Sequence, residues 1–203
     1  MKYQEFRNLI NKPFFRKTDV DFKATNVSSV QLSRWMNVGY INQVKRGLYV
    51  FGDEKSALDP FNISFLLYEP SYVSLESALS FYGLIPELVP VTTAVSPKTT
   101  RKFENQYGRF SYRHIRPELF FGYTPRESSG GKFLLAEPEK SVLDYIYFNH
   151  TRLISTDDIN EWRINTEEFK KTIDVAKIKK YLKEYNSKKI NKIIDLLIDY
   201  VNL

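Results

Sequence analysis

The chain has 203 residues, 42% hydrophobic and 15% aromatic, enough apolar surface for one or two packed domains and too much for a disordered chain. It contains no cysteine, which excludes a disulfide scaffold, a thiolate metal site and a cysteine nucleophile. Its net charge of +6 is one-sided: residues 1–52 hold nine basic and three acidic side chains, whereas residues 53–136 hold nine of each and residues 137–203 twelve of each. An excess confined to the first quarter is the footprint of a module that meets a polyanion. Met1 to Glu5 carry no apolar signal, and runs without a charged residue reach only about ten residues, short of the ~20 that cross a bilayer. A soluble cytoplasmic protein with no membrane association is expected.

In chain order, Tyr3, Phe6 and Ile10 share one side of residues 2–11, a short amphipathic helix that Pro13 ends. Thr18 can cap a second short helix, Thr18–Phe22. Asn26 to Ser29 offers a turn and a cap, and a third helix is predicted over Ser29–Asn37, with Gly39 as its left-handed stop. Tyr40–Val44 and Leu48–Phe51 are β-prone and flank Lys45-Arg46-Gly47, which predicts a tight hairpin. Helix, helix, turn, helix, hairpin is the order of a winged helix-turn-helix, assigned to residues 1–52.

Gly52–Pro60 is polar and reads as a linker. Pro60–Leu67 reads as a helix, and Ser74–Gly83 as a clearer one with Ser74 as its cap. Val91–Ser96, Arg109–Ile115 and Lys132–Ala136 read as strands. Glu137-Pro138-Glu139 opens a helix through Phe148, since proline suits the first helical position and early acids suit the dipole. Beyond Thr151 the pattern is helical: Asp174 caps a helix to Tyr185, and Lys188–Val201 follows with Ile190, Ile193, Ile194, Leu197 and Val201 at helical spacing. The predicted fold is α+β, an N-terminal winged helix-turn-helix followed by a mixed α/β domain over residues 60–203 whose end, from about 152, is helical.

On the third helix, Leu32, Trp35 and Met36 fall on one face and Val30, Arg34 and Asn37 on the other, flanked by Gln31 and Ser33. Those outward types read a major groove: arginine pairs with guanine, glutamine or asparagine with adenine, and an aliphatic group touches the thymine methyl. Ser28 and Ser29 can cap the helix or bond a phosphate, and Lys45 and Arg46 sit where a wing meets the backbone. The expected partner is double-stranded DNA. A second cationic run, Lys98, Arg101, Lys102, Arg109, Arg113 and Arg116, reads first as a solvated strand face and otherwise as an accessory phosphate contact or a dock for an acidic partner.

Catalysis finds little support. His114 and His150 stand alone, and His114 shares a strand face with Phe110 and Tyr112, the setting of a core or interface histidine. No nucleophile elbow, phosphate loop or zinc-protease motif occurs. Neither catalytic residues, nor a metal, nor a cofactor is expected. Two rivals follow from the residues: a metal-dependent nuclease using Glu137, Glu139 and Lys140 with a DNA-targeting head, and a module that binds protein and no DNA.

Four strings carry a resemblance: Gly39-Tyr40-Ile41 through Lys45-Arg46-Gly47-Leu48-Tyr49-Val50; Pro70 through Glu87, with Ser74-Leu75-Glu76-Ser77-Ala78-Leu79; Gly108 through Ile115; and Phe133 through Lys140. In this order, over roughly residues 28–148, the chain resembles the AbiEi-type antitoxins. The resemblance implies a bacterial transcriptional regulator of type IV toxin–antitoxin systems linked to abortive phage infection. It implies a winged helix that represses its own operon through inverted repeats and a following domain that counteracts a nucleotidyltransferase-like toxin. It supplies no catalytic residues and does not reach the helices beyond about residue 152.

Overall fold

The computed structural model describes residues 1–22, 27–54, 58–86, 89–128, 130–153 and 155–202. It is a mixed α+β structure with two sheets, of three and six strands. Three helices, α1 (Tyr3–Leu9), α2 (Lys17–Phe22) and α3 (Ser29–Asn37), accompany the smaller sheet of β1 (Phe14–Arg16), β2 (Ile41–Lys45) and β3 (Leu48–Phe51), in the order β1-β3-β2, all antiparallel. The third helix has the predicted bounds because its ends are local. The Ser28 hydroxyl accepts the Gln31 amide, and Gly39 at φ 82° carries the chain out of the helix. Gly47, at φ 79°, closes the β2–β3 hairpin in the same left-handed region.

The central strand β3 is buried on both faces. Tyr49 and Phe51 join Phe6, Phe15, Leu32, Trp35 and Ile41 in the core under the helices. Leu48 and Val50 point the other way and pack with Val44 against Leu58, Ile63, Leu66, Leu67, Ala94, Phe110 and Tyr112 of the second unit. Full burial of such a side chain contributes about 1.5–3 kcal/mol, so the two units share a dry seam. Polar contacts line it: the Asn105 amide donates to the Val44 carbonyl at 3.2 Å, and Arg16 pairs with Glu69 at 2.5 Å.

The linker assignment is therefore corrected. Gly52–Glu54 forms a short 3-10 turn whose Asp53 and Glu54 bind Arg7 at 3.4 and 2.8 Å, Leu58 is buried, and Asp59 caps the next helix. Residues 55–57, inside the proposed linker, and Asn26, inside the proposed turn, lie outside the described residues.

The larger sheet runs in the order β6 (Arg101–Asn105), β7 (Gly108–His114), β5 (Val91–Ser96), β4 (Tyr72–Val73), β9 (Gly131–Ala136), β8 (Tyr123–Ser128). The β5–β7 and β4–β9 pairs are parallel and the others antiparallel. Helix α4 (Pro60–Leu67) meets Ala94, Phe110 and Tyr112 on one face. Helices α5 (Glu76–Phe81) and α6 (Pro138–Asn149) lie on the other, where Tyr72 bonds Asp144. Ser74 is not the cap that the sequence suggests: its hydroxyl is buried and donates to Asp144 at 2.8 Å, and the chain enters α5 through Leu75 at φ 58°.

The end of the chain is helical as expected: α7 (Thr156–Glu161), α8 (Thr166–Thr172), α9 (Val175–Tyr185) and α10 (Lys188–Val201). Asp174 and Ser187 cap the last two, and α10 turns Ile190, Ile193, Ile194, Leu197 and Val201 inward. No helix among the described residues is long and apolar enough to cross a membrane.

Candidate nucleic-acid interface

Helix α3 is held from beneath by aromatic rings. Trp35 lies 5.1 Å from Phe6 and 5.6 Å from Tyr3, whose other side stacks on Tyr40 at 4.4 Å. With Leu32 and Trp35 buried and Met36 packed against the same core, the helix can present only its opposite face. That face carries Val30, Ser33, Arg34 and Asn37, at i, i+3, i+4 and i+7, all exposed, with Val30 at 62%. An exposed aliphatic side chain one turn before an arginine, with an asparagine one turn beyond it, is suited to base edges.

The flanking residues are less free. Ser28 is exposed but its hydroxyl is committed to the cap; Ser29 is exposed, with its carbonyl accepting the Ser33 hydroxyl at 3.0 Å. Gln31 is half-buried and its side-chain amide donates to the Met1 carbonyl. Reading a base with Gln31 requires breaking that bond, a cost the sequence does not show. Arg34 and Arg46 are exposed and make no ion pair among the described residues.

Lys45 is corrected. It ends β2 beside Arg46, but its ammonium folds inward and donates to the Leu66 and Leu67 carbonyls at the end of α4. Burial holds its pKa below the usual lysine value, and the neighbouring Arg16 adds to the effect against the pull of Glu69. Its charge serves the seam between the units, leaving Arg46 as the cation at the hairpin tip.

The second cationic run is divided by the strand alternation. Arg101 pairs in register with Tyr112 and Lys102 with Ser111, so the two basic neighbours project from opposite faces of β6. Lys102, Arg109 and Arg113 line one groove of about 580 Å³ at the end of the sheet, together with Glu76, Glu104 and Thr93. Its acids offset its bases, and the Arg113 guanidinium already lies over the Phe148 ring at 4.5 Å. Lys98 stands apart: its ammonium donates to the Glu69 carbonyl at 2.5 Å. His114 ends β7 and is exposed, its ring nitrogen 3.0 Å from the Lys98 carbonyl, so it is not a core histidine.

The residues of the nuclease alternative are consumed internally. Glu139 accepts the Asp174 amide at 3.1 Å and pairs with Lys177; Glu137 binds Lys177 and the Tyr181 hydroxyl. The Tyr181 hydroxyl is pushed up to about 12 by burial and by that carboxylate. Lys140 is fully buried. Its ammonium donates to Asp144 and to the Tyr185 hydroxyl, and Asp144 also accepts from Tyr72 and Ser74 at 2.9 and 2.8 Å. Burial lowers the Lys140 pKa and raises those of Tyr72 and Tyr185. This network joins strand, helix α6 and helix α9 out of reach of solvent. Sequence inspection misses it because its bonded partners lie up to 72 positions apart. Among the described residues, no three acidic or histidine side chains come together to hold a metal ion.

Comparison of the sequence with protein-family models finds no match, and comparison with curated proteins finds none either.

Proposed function

We propose that this chain is a DNA-binding transcriptional autorepressor and the antitoxin of a type IV toxin–antitoxin pair, acting in the cytoplasm. Its first unit is read as a winged helix-turn-helix, with α3 in the major groove and the β2–β3 hairpin as wing. The observation that carries the DNA half is the exposed face of α3, where Val30, Arg34 and Asn37 project side by side from a helix whose other face is locked into an aromatic core. Arg46 and the free lysines of the same unit supply backbone contacts. The antitoxin half is carried by the four strings between residues 28 and 148, which associate the chain with a nucleotidyltransferase-like toxin.

The DNA half is tested by gel shift on the upstream region of its own operon, where inverted repeats are expected. Arg34→Ala should weaken binding to that site by about 1–3 kcal/mol and leave random DNA nearly unaffected. An equal loss on both sinks base reading by Arg34. The antitoxin half is tested by co-expression with the toxin encoded beside it: growth should be restored by the full chain and by the Arg34→Ala variant alike.

A further inference from the structure

The balance of the last third conceals a second cationic surface. Residues 170–192 contain nine lysines and two acids, Asp174 and Glu184, a net charge of +7 in 23 residues. The acids that cancel it across residues 137–203 lie elsewhere, at Asp157, Asp158, Glu161, Glu167 and Glu168 before it and Asp195 and Asp199 after it. Of the nine lysines, Lys177 is spent on Glu137 and Glu139. The other eight are exposed, and none makes an ion pair among the described residues.

Helix geometry gathers them. Lys179, Lys180 and Lys183 lie within about 100° of one another on α9, and Lys188, Lys189 and Lys192 do the same on the first turns of α10. The lysines of α10 stand at the positive end of the helix dipole, where cations are disfavoured, and that first turn holds no acid. Mutual repulsion opposes both clusters and the dipole opposes the one on α10, while on α9 only Lys183, in the last turn, is favoured by it; fold stability does not account for the set.

We propose that the lysine surface of α9 and the start of α10 binds the phosphate backbone of duplex DNA without reading its sequence. The composition selects this partner over an acidic protein. Protein interfaces are built around aromatic, methionine and arginine anchors and are depleted in lysine. Here every cation is lysine, and none of the exposed large hydrophobic side chains of the molecule falls in residues 170–202. Arginine grips carboxylates and phosphates alike in two-pronged fashion, whereas lysine meets either as a point charge, which supplies attraction along a charged backbone without fixing a geometry. The lack of an exposed aromatic in this segment also removes the stacking platform that single strands need.

The surface acts independently of α3, and the test separates them. Binding of the full chain to random-sequence duplex is followed by fluorescence anisotropy between 50 and 300 mM salt. Two triple variants, Lys179→Gln/Lys180→Gln/Lys183→Gln and Lys188→Gln/Lys189→Gln/Lys192→Gln, are compared with wild type and with Arg34→Ala. Each triple variant should bind at least about tenfold more weakly near 0.1 M salt, with a log–log salt slope smaller by about 2 to 3. Arg34→Ala, which removes a single cation from α3, should lower the slope by no more than about 1, so a larger drop belongs to the lysines. Equal melting temperatures, or higher ones for the α10 variant, will show that the fold is intact. An unchanged slope in both triple variants overturns the proposal and leaves a solvated face. Loss of binding to poly-glutamate with duplex binding intact overturns it in favour of an acidic protein partner.

Discussion

The first 52 residues and residues 170–192 are both strongly basic, yet the two regions use their charge differently. In the first, the fold spends much of it: Arg7 pairs with Asp53 and Glu54, Arg16 with Glu69, and Lys45 caps two carbonyls of α4. Those acids come from just beyond residue 52, and the +6 of residues 1–52 falls to +3 over residues 1–69. In the second, one lysine of nine has an acidic partner. A segment's formal charge therefore says little about the charge it shows to a ligand until the internal partners are subtracted. What remains at the head is sparse and set around an ordered helix face, as the proposed base reader requires. What remains at the tail is dense and uniform, as the proposed backbone clamp requires.

The comparison breaks most visibly where a basic residue is wholly internal. Lys140 and Asp144 are both fully buried, and Asp144 also accepts the hydroxyls of Tyr72, Ser74 and Tyr185. Asp144→Ala should cost about 3–5 kcal/mol in urea unfolding, because it strands a buried ammonium. The double change Lys140→Met/Asp144→Leu should not restore stability, since three hydroxyls would still lose their acceptor. Lys183→Ala, exposed and unpaired, should stay within about 0.5 kcal/mol of wild type. A large loss at Lys183 would mean that the tail's lysines are structural after all.

Lys45 and Arg46 give a sharper contrast, being adjacent. Lys45→Ala should cost about 1–2 kcal/mol of stability through its lost carbonyl contacts and leave the salt dependence of DNA binding unchanged. Arg46→Ala should do the reverse, holding stability within about 0.5 kcal/mol and lowering the salt slope by about 0.9. A smaller slope for Lys45→Ala would return that side chain to the interface.

What the sequence makes legible follows the range of the interaction. The bounds of α3 and the presence of the hairpin rest on Ser28, Gly39 and Gly47, each acting within a few residues, and they read directly, although the first hairpin strand is shifted by one residue to Ile41–Lys45. Strand β1 spans three residues, too few for a period to register. Strand β8 has Pro125 at its centre, which argues against a strand until its edge position in the sheet is known. The inward fold of Lys45 depends on how α4 docks against the hairpin, a contact 21 and 22 positions away. The tail surface was concealed by averaging: a boundary at residue 137 combines the acids of α7 and α8 with the lysines that follow. On the candidate site, the face of α3 was legible and the cost of freeing Gln31 was not, because its partner is the carbonyl of Met1.

The smallest expected effect bears on why the tail's charge exists. Lys188 and Lys189 occupy the first two positions of α10, where the unpaired amides of the helix end make a partial positive charge. Replacing each by glutamine preserves helix propensity and removes a repulsion, so each should stabilise the protein by about 0.3–1 kcal/mol at low salt. The gain should shrink toward zero near 1 M salt, where the screening length falls to about 3 Å and charges one turn apart no longer sense the dipole. Measured by urea unfolding at both salt concentrations, this signature distinguishes an electrostatic cost from a packing change, which salt would leave in place. Stabilisation on losing lysine, joined to weaker DNA binding by the same variants, would show a surface kept at the expense of the fold. Destabilisation at low salt would show instead that these lysines support the helix, and the contrast between a spent head and a free tail would fail at its clearest point.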